Sequence, residues 1–213
     1  MHSVKPFVLS TLLLMVAALA MGANIDMDDP YRAVGREYDV RVDAQLLSEI
    51  VKQGMPIAIT YQIQNFSKTS VAVAEKVCSA SYDPDSRTIT VSVGSEIPLD
   101  GEMPRMAMIA PGEKKIFNTS ATLASSTSAI RASRTQPRYL QIKVNVLRDL
   151  VPFAELLEKQ QSAATTMRLP LSDDQFDQWF DANRTIFLNS LPVRYEIRTD
   201  GRFDASRRGF GMR

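Results

Sequence analysis

Three methionines within six residues, Met103, Met106 and Met108, are the residues of this sequence with the most particular chemistry. On an extended strand Met106 and Met108 point the same way, and Met103 can fold over them from the preceding turn. Thioether sulfur is a soft ligand that suits Cu(I), and Cys78 offers a further sulfur. Methionine also fills irregular gaps in a core or at a sheet edge, which is the plainer account of the same residues. Cys78, the only cysteine, has no partner in its own chain. It reads as a small buried apolar residue near the end of a strand, with an intermolecular disulfide or a soft-metal role as the alternatives.

The densest acidic group is Asp173, Asp174, Asp177 and Asp181. At helical spacing Asp174, Asp177 and Asp181 share a face, close enough to raise a pKa and to serve a carboxylate-based hydrolase or hold Ca²⁺. The helix dipole alone accounts for Asp173 and Asp174, and calcium loops alternate their oxygen ligands along a loop. Other chemistry is absent from the pattern. There is no Gly-x-Ser-x-Gly elbow, phosphate loop or dinucleotide fingerprint. The single histidine is His2.

His2 lies in residues 1–23, which read as a secretory signal peptide. A short polar start with Lys5 is followed by an uncharged apolar run from Phe7 to Ala20. Small residues then stand at Ala18, Ala20, Gly22 and Ala23. The apolar run is shorter than the ~20 residues of a membrane-spanning helix. Cleavage would leave a chain without histidine, hence without the commonest general base and metal ligand. It would also remove Lys5 from 25 basic side chains, leaving 24 against 24 acidic ones. A neutral chain gives no sign of nucleic-acid or broad membrane binding. No Ser-x-x-Lys follows the signal, and no cofactor is expected.

The elements that must position these residues are mostly strands. Residues 24–35 suit an irregular leader. From Glu37 the pattern turns to period two, with Tyr38, Val40 and Val42 on one face. Met55 to Gln64 then puts Ile57, Ile59, Tyr61 and Ile63 together. Further strands are expected over 71–77, 87–93, 105–109, 114–123 and 138–147, with an Asp-Pro-Asp turn in the segment 81–85. Ser125 to Gln136 reads as a long loop. After residue 148 the pattern changes. Helices are expected over 152–161 and from a cap at Ser172, where Gln175 completes a capping box and Leu171 and Phe176 suit a hydrophobic staple. The second helix carries an apolar stripe of Phe176, Trp179, Phe180 and Phe187. A late alternation follows in Val193, Tyr195 and Ile197. The tail 201–213 is rich in Gly and Arg and suits a flexible basic end. Asn65, Asn118 and Asn183 stand in glycosylation sequons.

The segment Gly54-Met55-Pro56-Ile57-Ala58-Ile59-Thr60-Tyr61-Gln62-Ile63-Gln64-Asn65 resembles the second strand of bacterial extracytoplasmic immunoglobulin-like modules, the CARDB type among them. There a Gly opens the strand and an Asn closes it. Ile109 to Lys115 resembles the turn before a late strand of the same modules. The resemblance covers residues 36–148 and implies a non-catalytic fold used for spacing or recognition, with no site residues carried across. The expectation is therefore a mainly β chain. An immunoglobulin-like antiparallel β-sandwich over 36–148 is followed by a helical extension with a late strand over 149–200, packed on the sandwich. The whole would act as a secreted or periplasmic interaction module with a protein partner, binding through a sheet edge or loops. A Cu(I) carrier built on Met103, Met106, Met108 and Cys78, and a carboxylate hydrolase, are the readings from other classes.

Overall fold

The structure is a computed structural model and describes residues 25–26, 28–123, 136–162 and 168–196. Alternating apolar residues build most of it. In chain order the strands are β1 (Arg32–Glu37), β2 (Val40–Leu46), β3 (Ile50–Lys52), β4 (Pro56–Asn65), β5 (Val71–Ala74), β6 (Cys78–Asp83), β7 (Thr88–Val93), β8 (Glu102–Met103), β9 (Met106–Ile109), β10 (Lys114–Thr122), β11 (Tyr139–Leu147), β12 (Leu169–Pro170), β13 (Asn183–Phe187), β14 (Leu191–Pro192) and β15 (Arg194–Glu196). Helix α1 spans Ala154–Ser162 and α2 spans Asp173–Ala182.

The protein is mainly β. A four-stranded antiparallel sheet has the order β1-β2-β4-β10, and a larger sheet has the order β6-β7-β11-β5-β9 with β13 and β14 also paired to β11. Both sheets feed one apolar cluster: Ile57, Ile59, Tyr61 and Ile63 from the first, Ile89, Val91, Val93, Leu140, Ile142, Val144 and Val146 from the second. Each such side chain contributes about 1.5–3 kcal/mol by leaving water. Tyr61 stacks on Phe117 with centroids 5.0 Å apart.

Several expectations are corrected. The sheets are not antiparallel throughout: β7 and β11 run parallel, with Ile89 opposite Leu140 and Val93 opposite Val144. The chain between them crosses to the other sheet through β10, the long connection that parallel pairing requires. The run from Glu37 to Asp43 is a hairpin, and the leader 24–35 already contains the start of β1 at Arg32. The two-residue turn at Tyr38–Asp39 moves the inward positions from Ala33 and Gly35 on β1 to Val40 and Val42 on β2, and Tyr38, expected on the face of Val40 and Val42, stands exposed in the turn instead. The strand expected to reach Val77 stops at Ala74, before Lys76 at φ +58°. Ser81 to Asp83 belong to β6, and the turn is formed by the Asp83 carboxylate, which accepts from Asp85 N at 3.0 Å.

The C-terminal part departs furthest from expectation. The capping box is present, with Ser172 Oγ accepting from Gln175 N at 3.2 Å and Gln175 Oε1 from Ser172 N at 3.1 Å. However, α2 ends at Ala182, and Phe187 lies on β13, not on the helical stripe. Residues 149–196 hold more than the two helices and the late strand expected there. β13 pairs with β11 and also backs onto β1, where a Cβ on Gly35 would stand 2.6 Å from Phe187 O. Asn189 then brackets Val34 with two hydrogen bonds, and β15 pairs with β3 in parallel. A second apolar cluster of Met103, Leu147, Phe153, Leu157 and Trp179 seats the helices on the outer face of the larger sheet. No helix among the described residues is long and apolar enough to cross a membrane. The signal expected over 1–23, nearly all of the loop expected over 125–136 and the basic tail expected over 201–213 fall outside the described residues.

Candidate functional site

β9 turns Ala107 and Ile109 toward the main core, which puts Met106 and Met108 together on the opposite face. Met103, on β8, is fully buried in the second cluster beside them. The three methionines thus gather on one side of the larger sheet, as their spacing suggests. There they close the packing under α1. Met108 Sδ accepts from Gln161 Nε2 at 2.6 Å. Cys78 does not join them. It lies on β6, at the opposite edge of the sheet from β9, and packs against the main core. Burial pushes its thiol pKa up, with a hydrogen bond to Thr119 opposing in part. Four sulfurs therefore do not form one ligand set. Among the described residues no group of three His, Cys, Asp or Glu stands where a metal could be held.

The acidic group on α2 faces water. Asp173, Asp174, Asp177 and Asp181 are exposed, while Trp179 and Ala182 are the buried side of the helix. An acid better surrounded, and missed in the sequence, is Asp43. It is 1% exposed on the outer face of the four-stranded sheet and paired with Arg32 and Arg41. Its alternation partners Arg41 and Gln45 masked it as an ordinary solvent-side residue. All its charge is spent on those two arginines, a structural arrangement.

The sequons separate by burial. Asn65 is fully buried, with Nδ2 donating to Thr69 O at 2.8 Å and Ile109 O at 3.0 Å. Asn183 is buried with Nδ2 donating to Ser95 O and Glu96 O, both at 3.2 Å. Asn118 alone of the three is exposed.

One surface combines exposure, aromatic rings and uncompensated charge. Tyr38 opens the turn between β1 and β2 at φ +50° and is 69% exposed. Gly, Asn or Asp occupy such a position easily, while an aromatic residue there costs about 1–3 kcal/mol of strain. Arg148, just beyond β11, places its guanidinium carbon 5.0 Å from the Tyr38 ring centre. Arg36 of β1 lies 5.7 Å over the Phe66 ring, and its Nε donates to Tyr38 O at 2.8 Å. Phe66 N donates to Asp39 O at 2.7 Å, which ties the loop after β4 to the turn. That loop is held from below, because Asn65 Oδ1 accepts from Ser67 N at 3.0 Å and Ser67 Oγ at 2.6 Å.

The result is a fixed face of two half-exposed rings and two guanidinium groups. Among the described residues neither Arg36 nor Arg148 has a carboxylate partner. No nucleophile or base is placed to act here; the chemistry available is cation–π, ionic and hydrogen-bonding recognition. Comparison with protein families, with curated proteins and with solved structures gave no match to this chain.

Proposed function

We propose that this protein is a non-catalytic protein-binding module acting outside the cytoplasm, secreted or periplasmic, on an immunoglobulin-like sandwich of the CARDB kind. Its partner docks on the face formed by Tyr38, Phe66, Arg36 and Arg148. The extracytoplasmic part of the reading rests on the N-terminal signal pattern. The sandwich part rests on two sheets sharing one core, with the parallel β7–β11 pair as this chain's own variation.

The observation that carries the binding role is Tyr38. A strained aromatic residue two-thirds in water contributes little to its own fold, and strain of this kind persists where a surface is kept for contact. Tyr, Phe and Arg are also the residues that dominate the energetics of protein interfaces. The two guanidinium groups, ordered by their rings, call for carboxylates on the partner.

The test is affinity capture of the tagged full chain from its native cell envelope, with a second chain carrying Arg36→Glu and Arg148→Glu. The reading expects one stoichiometric partner with the native chain and at least a tenfold loss with the variant, since each buried charge pair at an interface is worth about 2 kcal/mol or more. Equal recovery with both chains, when both melt alike, would remove this face from the account.

A further inference from the structure

A second site lies at the far edge of the larger sheet. β9 is its last strand, and β5 fills only one side of it. On an antiparallel strand alternate residues aim both backbone groups away from the partner, and here those residues are Met106 and Met108. Side chains terminate half of these groups. Gln160 Oε1 accepts from Met106 N at 3.1 Å, and Lys115 Nζ donates to Met108 O at 3.3 Å. Gln160 is fixed in turn by its Nε2, which donates to Pro104 O at 2.9 Å. Between the two caps the Met106 carbonyl and the Met108 amide face a cleft of about 310 Å³, lined also by Arg105, Glu75 and Gln161.

A carbonyl at one residue and an amide two residues on are the pair that a single residue of an added parallel strand engages: its N–H meets the first and its C=O the second. A strand running parallel to β9 travels from Met106 toward Met108, so its next backbone group arrives at Lys115. The charges there are uneven. Arg105 pairs with Glu75 at 3.2 Å, whereas Lys115, among the described residues, bonds a carbonyl and no carboxylate. The Gln160 cap bars longer pairing upstream, and the cleft has the volume of a small-ligand site rather than of a long strand. Partly buried Met106 and Met108 thioethers form a floor that adapts to varied apolar side chains.

We infer that this cleft captures the free C-terminal end of an extended peptide, with its carboxylate on Lys115, the N–H and C=O of its penultimate residue on Met106 O and Met108 N, and an apolar side chain on the two thioethers. The site is distinct from the Tyr38 face and stands whether or not that face binds a partner.

The probe is a pool of N-acetylated hexapeptides of mixed sequence with a free C-terminal carboxylate, compared with the same pool amidated. Binding is read from the methyl signals of Met106 and Met108 in the ¹³C-methyl-methionine spectrum of the full chain, with Met55 as an internal control. The expected result is saturable shifts at Met106 and Met108 with the acid pool, affinity weaker by about tenfold or more for the amide pool, and loss of binding in Lys115→Met with Lys114→Met unaffected. No shift up to about 5 mM, or equal affinity for acid and amide pools, overturns the inference. The acid–amide comparison uses the native chain, so it decides the matter even if Lys115→Met fails to fold.

Discussion

Arg148 and Tyr38 join the two sheets at the surface: the guanidinium at the end of β11 lies 5.0 Å from the centre of a ring carried by the turn between β1 and β2. The larger sheet thereby holds a strained turn of the smaller one in place. On the proposed binding role, stability and binding make opposite demands on residue 38.

Replacing Tyr38 with Asn should separate these demands. Asn adopts positive φ readily, which recovers about 1–3 kcal/mol of strain, while the lost cation–π contact at an exposed site costs about 0.5–1 kcal/mol. The variant should melt no lower than the native chain and should lose partner capture. Thermal unfolding followed by circular dichroism checks the first half. A clear fall in melting temperature would show that Tyr38 is there for the fold.

Asn65 should be structural and closed to modification. Asn65→Ala leaves the Thr69 and Ile109 carbonyls and Ser67 without their buried partner, at a cost of about 2–4 kcal/mol in urea unfolding. In a glycosylating host, secreted folded chain should carry glycan at Asn118 and none at Asn65 or Asn183. Mass spectrometry of glycopeptides from the soluble fraction reads this directly, and a glycan on Asn65 in folded material would contradict the placement of that side chain.

Trp179 is 1% exposed in the second core, with its ring 5.5 Å from that of Phe153, and its Nε1 has no hydrogen-bond partner among the described residues. Trp179→Phe removes an unsatisfied donor, which offsets much of the lost packing, so it should cost under about 2 kcal/mol. Trp179→Ala should cost about 3–5 kcal/mol. As the only tryptophan it also reports its own surroundings: emission should be blue-shifted in the native chain and move to the red on unfolding.

Cys78 gives the chain an alkaline weakness. Burial raises its thiol above the ordinary value of 9.0, so the folded chain holds this proton at a pH where the unfolded chain has released it. Its contribution is therefore fully present below pH 9, falls as pH rises through that value, and is gone above the raised one. Burial raises Tyr61 as well, and it acts in the same direction further up the scale. Urea midpoints should fall as pH rises above 9, and Cys78→Ala should flatten the first part of that fall. A native chain whose stability rises over this range would refute the burial of the thiol.

The sequence made the strands of the first 148 residues legible because one-sided burial writes a period of two. Ile57, Ile59, Tyr61 and Ile63, and Leu140, Ile142, Val144 and Val146, all face the core as their alternation implies. What alternation cannot write is pairing. The parallel β7–β11 contact, the turn hidden at Tyr38–Asp39 and the insertion of β13 beside β11 all depend on partners far away in the chain. Phe187 fitted a helical stripe by spacing, yet its neighbours Thr185 and Ile186 favour a strand once β11 offers an open side. The methionine group was visible, but not the Gln160 and Lys115 caps that give it a setting, since Gln160 reaches Met106 across 54 residues of sequence and Lys115 reaches Met108 from the neighbouring sheet's β10. Nothing in the sequence marked Arg36 and Arg148, because an arginine's missing carboxylate is a fact of three dimensions.

Site-specific photocrosslinking in the native cell tests the central claim most directly. A benzophenone amino acid placed at position 38 or at position 66 should yield an adduct with one and the same protein. The same group at Tyr139, which is 47% exposed at the opposite end of β11, should yield none. Absence of any adduct from positions 38 and 66, or adducts of equal strength from position 139, would contradict a binding role for this face.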